Sequence, residues 1–137
     1  EKSFGIWNAE FTQGYTPAET GMDRWIDWTK DSFVGSHAAS VELNGNGPNR
    51  RLVTLEVNAD GADASGYEPI WSNDKMVGFV TSGGYGHTMK KSYAMALVDT
   101  ELAKEGTDLT VHIVGVERKA TVIAPSPYDP SGKAMRG

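Results

Sequence analysis

Gly83, Gly84 and Gly86 are followed by His87, Lys90 and Lys91, and apolar runs flank the whole group. Glycine-rich backbone that leads into a lysine can cradle a phosphate, because bare N–H groups converge and an ammonium closes the site. The spacing here argues against that chemistry. A phosphate loop places four residues between its glycines and ends in Gly-Lys-Ser/Thr at a helix start. Gly86 is instead followed by His87, and the next segment, SYAMALV, reads as a strand. The dinucleotide fingerprint fails for the same reason. A strand-to-strand connection is expected, with glycines that tolerate positive φ.

The other reactive side chains are scattered. His87 titrates near neutral pH and could serve as base or ligand. It has no carboxylate beside it and no His-x-x-x-His partner, and His37 and His112 are remote. It is read as a hydrogen-bonding loop residue, and no metal site is assigned. The absence of cysteine excludes thiolate chemistry, disulfides and Cys-bound zinc. Glu1 and Glu10 gain interest from Phe4, Trp7 and Phe11. An aromatic box with a carboxylate at its rim suits a flat, nitrogen-rich heterocycle, which can stack and donate paired N–H bonds. A plain aromatic core explains the same residues, and on these residues alone it is preferred. Asp129, Lys133 and Arg136 end the chain. Arg136 could grip a carboxylate bidentately, although a solvated terminus is the commoner case.

The elements that must position these groups fall into two regions. Residues 1 to about 40 carry Phe4, Trp7, Phe11, Tyr15, Trp25, Trp28 and Phe33. Thr16, Pro17 and Glu19 form a capping-box start, so a helix is expected with Met22, Trp25 and Ile26 on one buried face. Gly21 weakens that helix by about 1 kcal/mol relative to Ala. DSFVGSHAASVEL offers a second short helix. After the turn residues Asn44 to Pro48 the pattern becomes β-like. RLVTLEVN alternates Val53, Leu55 and Val57 against Leu52, Thr54 and Glu56. EPIW, KMVGFVTS, SYAMALV, TDLTVHIVG and KATVIAP follow, with separators at Ser72–Asp74, Gly83–Gly84, Glu105–Gly106 and Val116–Arg118. DTELAKEGT offers a helical turn. Short strands at this spacing predict a small closed barrel or sandwich. PSPYDPSGKAMRG should wander over a surface.

Bulk properties narrow the function. A chain of 137 residues favours one domain, or one domain plus part of another. The net charge of −5, with both signs mixed, argues against nucleic-acid binding. No run approaches the roughly 18 apolar residues of a membrane span, and no signal-peptide pattern is present.

Several motifs in order resemble one family over almost the whole chain. VGFVTSGGY, KSYAMALV and GTDLTV, and then a strand ending in proline, resemble the C-terminal barrel of the glycine cleavage T-protein (aminomethyltransferase) family. Dimethylglycine and sarcosine dehydrogenases carry the same domain. EKSFGIW and YDPSGKAMR look most like that branch, and Lys2, Ser3, Trp7 and Glu10 depart from the T-protein version. The resemblance implies a mainly β fold: a small antiparallel barrel over 47–137 with an extended tail. Before it, over 1–46, would stand an α-containing remnant of the folate-binding domain. It implies a C-terminal piece of a tetrahydrofolate-dependent one-carbon transfer enzyme, with its catalytic aspartate and any FAD domain upstream and no catalytic residue here. In such a dehydrogenase the flavin part oxidises an N-methyl amine and tetrahydrofolate captures the carbon as 5,10-methylenetetrahydrofolate. The alternatives are a stand-alone aminomethyltransferase, methyl transfer from a sulfonium, or a non-catalytic barrel module. Glu1 matches the glutamate that holds the pterin ring. Lys30 stands where T-protein has an arginine, and Arg136 would touch the folate tail. The implied partner is the upstream folate-binding domain. The implied location is the cytoplasm in a bacterium and the mitochondrial matrix in a eukaryote.

Overall fold

The structure is a computed structural model that describes all 137 residues. Apolar runs separated by turn residues form six strands: β1 (Arg50–Val57), β2 (Pro69–Ser72), β3 (Lys75–Gly86), β4 (Lys91–Asp99), β5 (Asp108–Ile113) and β6 (Val116–Ile123). All neighbours are antiparallel, and they close in the order β1-β4-β3-β2-β5-β6. β6 returns to β1, with Thr54 opposite Ile123 and Val57 opposite Ala120. Closure leaves no free sheet edge. The expected mainly β fold, a small antiparallel barrel, is therefore the fold that forms.

The interior shows why the chain closes. Val53, Leu55 and Val57 of β1 point inward and meet Ala94, Ala96 and Val98 of β4 and Val111 and Ile113 of β5. Large residues face small ones because so narrow a barrel has little interior space. Each fully buried Leu, Ile or Val contributes about 2 kcal/mol. β4 is buried on its outer side as well, at Tyr93 and Leu97. Residues 1–6 run beside that outer face, where Thr54 Oγ1 donates to Ser3 Oγ at 2.9 Å.

Two short helices precede the barrel. In α1 (Pro17–Thr20) the capping box forms: Thr16 accepts from the Glu19 amide and Glu19 accepts from the Thr16 amide. Glu19 also pairs with Arg50 at 3.0 Å, which ties the helix to β1. The expected longer helix does not form. Gly21 adopts φ +70° and caps α1, and only a 3-10 turn follows at Asp23–Trp25. Met22 and Trp25 are consequently exposed rather than sharing a buried face. The second expected helix is α2 (Ser36–Asn44), which buries no residue.

Three other expectations are corrected. The Gly83–Gly86 stretch is no loop: it is the end of β3, and the chain turns at His87–Lys90. None of these glycines has positive φ, whereas Lys90 does, at +57°. The last hairpin turns at Val114–Gly115, so Val116–Arg118 begins β6 instead of separating strands. The tail does not wander. Ser126 and Tyr128 bond to the N-terminal residues, and α3 (Lys133–Arg136) closes the chain.

Candidate functional site

A groove of about 460 Å³ lies between the N-terminal segment and the outer face of β3 and β4. Glu1, Phe4, Ser82, Tyr85, Gly86 and Tyr93 line it. Its volume falls in the small-ligand range. Glu1 is half-buried at its rim. The Met89 N–H donates to Glu1 Oε1 at 2.7 Å. That amide, helped by the hydroxyl and amide of Thr88, outweighs partial desolvation and holds the Glu1 carboxyl below the usual carboxylate range. The group is thus an ionised acceptor fixed beside an open groove.

The backbone of β3 makes room for it. A Cβ on Gly86 would fall 2.7 Å from Glu1 Cγ and 2.7 Å from the Tyr93 ring. Glycine is needed here for close approach, not for a left-handed turn. On the tyrosine side of the groove, burial raises the Tyr93 phenol above its ordinary value.

Glu10 does not sit at this rim. Its side chain is fully buried (0% exposed), with Oε2 accepting from the Ile6 N–H and Oε1 from the Ser82 hydroxyl, each at 2.6 Å. A bulge in β3 between Val80 and Ser82 shifts the strand by one residue at the point where Ser82 meets Glu10. The aromatic box does not assemble either. Phe4 lines the groove, but Trp7 is 75% exposed. Phe11 packs on Gly5, where an added Cβ would be 2.5 Å from its ring.

The remaining sequence candidates lie elsewhere. Lys30 stands exposed between the 3-10 turn and α2. Arg136 folds back on its own turn, with Nη2 donating to the Ser131 carbonyl at 2.5 Å. Neither lines the Glu1 groove. His87 makes an edge contact with Tyr85 at 5.2 Å rather than the expected hydrogen bond. His112 stacks on Trp71 at 5.3 Å and approaches Glu117 at 3.7 Å. Lys90 and Lys91 border a second groove of about 650 Å³. Lys91 is committed there to both oxygens of Glu56 at 2.7 Å, and that contact keeps its ammonium protonated to higher pH than usual. Glu56 and Asp63 share the groove, so its charge is mixed and suits a phosphate poorly.

Sequence reading missed Ser82, the Met89 amide, and the Lys2–Asp129 and Ser3–Ser126 pairs. Each partnership spans more than 70 residues, so no local spacing announces it.

Comparison with known proteins agrees with this architecture. Residues 50–129 match the family described as the glycine cleavage T-protein C-terminal barrel domain. Mitochondrial dimethylglycine dehydrogenase of Rattus norvegicus is 34% identical over 123 residues, covering 90% of this chain and 14% of that protein. The Mus musculus protein is 36% identical over 124 residues, with 90% and 14% covered. Aminomethyltransferase of Acidobacterium capsulatum is 34% identical over 128 residues, 93% of this chain and 34% of that protein. The chain therefore spans about a seventh to a third of these relatives' lengths. The solved structure of glycine cleavage system aminomethyltransferase T from Bartonella henselae shares the fold, with TM-score 0.82, 23% identity, and 90% of this chain and 35% of that one covered. With a closed six-stranded barrel and a family match across β1 to β6 and into the tail, this chain belongs to the glycine cleavage T-protein C-terminal barrel domain family.

Proposed function

We propose that this chain is the C-terminal part of a tetrahydrofolate-dependent one-carbon transfer enzyme, most like a dimethylglycine or sarcosine dehydrogenase. In this reading residues 47–137 form the barrel and tail that cap an upstream folate-binding domain, and residues 1–46 close that domain. The observation that carries the reading is the ionised Glu1 carboxylate, fixed by the Met89 amide at the rim of a groove lined by Phe4. A flat heterocycle with adjacent N–H groups fits that arrangement, because a carboxylate accepts paired N–H bonds and an aromatic face stacks on the ring.

Tetrahydrofolate, when bound, would accept the one-carbon unit. This chain's residues would orient it. Glu1 would hold the pterin edge and Phe4 would cover a ring face. Lys30 is assigned to folate binding at the position of the family's arginine, and Arg136 to the folate tail, for which it must leave Ser131. No residue of this chain is assigned a proton transfer. A flavin, in the dehydrogenase branch, belongs to an upstream domain, since the β3 glycines form no dinucleotide-binding turn. The similarity to mitochondrial dehydrogenases and bacterial aminomethyltransferases supports a matrix location in a eukaryote and a cytoplasmic one in a bacterium.

Plain aminomethyl transfer is the second reading. It is supported as well as the first by identity, which is 34% to both the rat dehydrogenase and the A. capsulatum aminomethyltransferase. An upstream Gly-x-Gly-x-x-Gly unit selects the dehydrogenase, and its absence selects the transferase. Isothermal titration of tetrahydrofolate into the full-length protein tests the shared claim. Glu1→Gln should weaken binding about tenfold, because a charge-assisted hydrogen bond is lost. Unchanged affinity removes Glu1 from the pocket and favours a non-catalytic barrel module.

A further inference from the structure

The two ends of the chain meet beside Glu1. Lys2 Nζ donates to the Asp129 carbonyl at 2.5 Å and stands 3.4 Å from its carboxylate. Ser3 Oγ accepts from the Ser126 N–H at 2.8 Å and from Thr54 Oγ1 at 2.9 Å, so one hydroxyl joins the tail, the N-terminal segment and β1. The Tyr128 N–H donates to the Glu1 carbonyl at 3.1 Å. The Met135 N–H of α3 reaches the Asp129 carboxylate at 3.3 Å.

We propose that Lys2, Ser3, Ser126 and Asp129 form a latch through which the C-terminal tail positions the Glu1 carboxylate. The inference rests on the reading of Glu1 as a ligand contact and adds the residues that hold it in place. They are positioning residues: Lys2 and Ser3 border the groove, but their polar side-chain atoms are spent on Asp129, Ser126 and Thr54, so they tie residues 1–3 to the tail and to β1.

Backbone conformation supports the latch. Ser3, Ser126 and Asp129 adopt φ of +52°, +60° and +48°. Such conformations cost about 1 kcal/mol or more each and persist where surrounding contacts over-determine them. Here three of the four latch residues are strained in this way. A tail that merely covered the barrel would bond to strands. This one bonds to residues 1–3. The other side of Glu1 is equally constrained, by the bare Gly86 backbone and by the Met89 amide, next to Lys90 at φ +57°.

Amide hydrogen exchange on this chain reads Glu1's position directly at Met89, without a ligand. In Asp129→Asn, which loses the Lys2 ion pair, and in Ser3→Ala, which loses the neutral bonds to Ser126 and Thr54, protection of the Met89 and Tyr128 amides should fall about tenfold. Amides of Leu97 and Val111, inside the closed barrel, should be unchanged, which separates a released latch from a misfolded chain. Wild-type protection at Met89 in both variants overturns the latch. The same variants of the full-length protein should bind tetrahydrofolate about tenfold more weakly. If Met89 protection falls but neither these variants nor Glu1→Gln alter folate affinity, the latch stands and the folate role of Glu1 is refuted. If Glu1→Gln weakens binding while the latch variants bind normally, the folate role stands and positioning by the tail is refuted.

Discussion

Gly78, Gly84 and Gly86 share one strand but meet different surroundings. A Cβ on Gly78 would overlap the Leu97 carbonyl oxygen and stand 2.9 Å from Val98 Cα, both backbone atoms of β4. Backbone cannot rotate aside as a side chain can. Gly78→Ala should therefore destabilise the barrel by about 1–3 kcal/mol, as overpacking does. Gly84 has nothing within 4 Å of its would-be Cβ, so Gly84→Ala should stay within about 0.5 kcal/mol of wild type. Urea unfolding of the two variants checks the contrast, and equal midpoints would refute it. Asp129 yields a pH prediction at the same scale. Burial pushes its carboxyl up, but the amides of Ala134 and Met135 and the Lys2 ammonium together bring it below the ordinary 3.8. A depressed native pKa gives a contribution that is complete above the unfolded value and lost as pH falls through the native one. The latch should hold at pH 5 and above and release only below about 3.8, while the barrel stays folded. Exchange at the Tyr128 amide as a function of pH reads this, and release at neutral pH would contradict it.

Element by element, β1, β5 and β6 were legible because their alternation records which side chains face the barrel interior, and β4 because its run from Tyr93 to Val98 is apolar throughout. β1 was readable from Val53, Leu55 and Val57 alone. Turns were less legible. Asn73, at φ +53°, marks the β2–β3 turn with a residue suited to it. The β5–β6 turn places Val114 at φ +50°, a conformation β-branched residues avoid, so sequence pointed past it to Val116. Glu68 compensates, since its carboxylate accepts from the Val114 N–H at 2.9 Å and from the Ser65 N–H at 2.8 Å. With Gly115 at φ +79°, the pair makes a two-residue turn of the left-handed type that favours Asn-Gly. Val114 is 85% exposed and packs on little. Val114→Asn should raise stability by about 1 kcal/mol, since strain is relieved and almost no burial is lost. A lower melting temperature for that variant would show that the strain argument is wrong. The early helix failed as an expectation for the opposite reason. Its capping box was real, but Gly21 ended it after one turn, and the spacing of Met22, Trp25 and Ile26 had no helix to act on.

For the whole molecule, the legible part is the closed barrel and the illegible part is what lies against it. Sequence alone set Glu1 beside an aromatic box and preferred a plain core; only the resemblance gave it a ligand, because its setting is assembled from Gly86, Met89 and the tail. The region between α1 and α2 poses a similar problem. Trp25 is 73% exposed, Val34 is fully exposed, and α2 buries no residue. Phe33, Val34 and Val41 border a hollow of about 600 Å³ against Pro17 and Ile26. An apolar surface of this kind marks a contact face. Under the proposed function the occupant of this face is the upstream domain. Val34→Asp separates this from an idle surface. In the 137-residue chain the change should leave the melting temperature unaltered. In the full-length protein the same charge would be buried unpaired between domains, at a cost of several kcal/mol and a correspondingly lower melting temperature. An equal melting temperature for wild type and variant at full length would mean that no domain covers this face, and the proposed capping arrangement would fail with it.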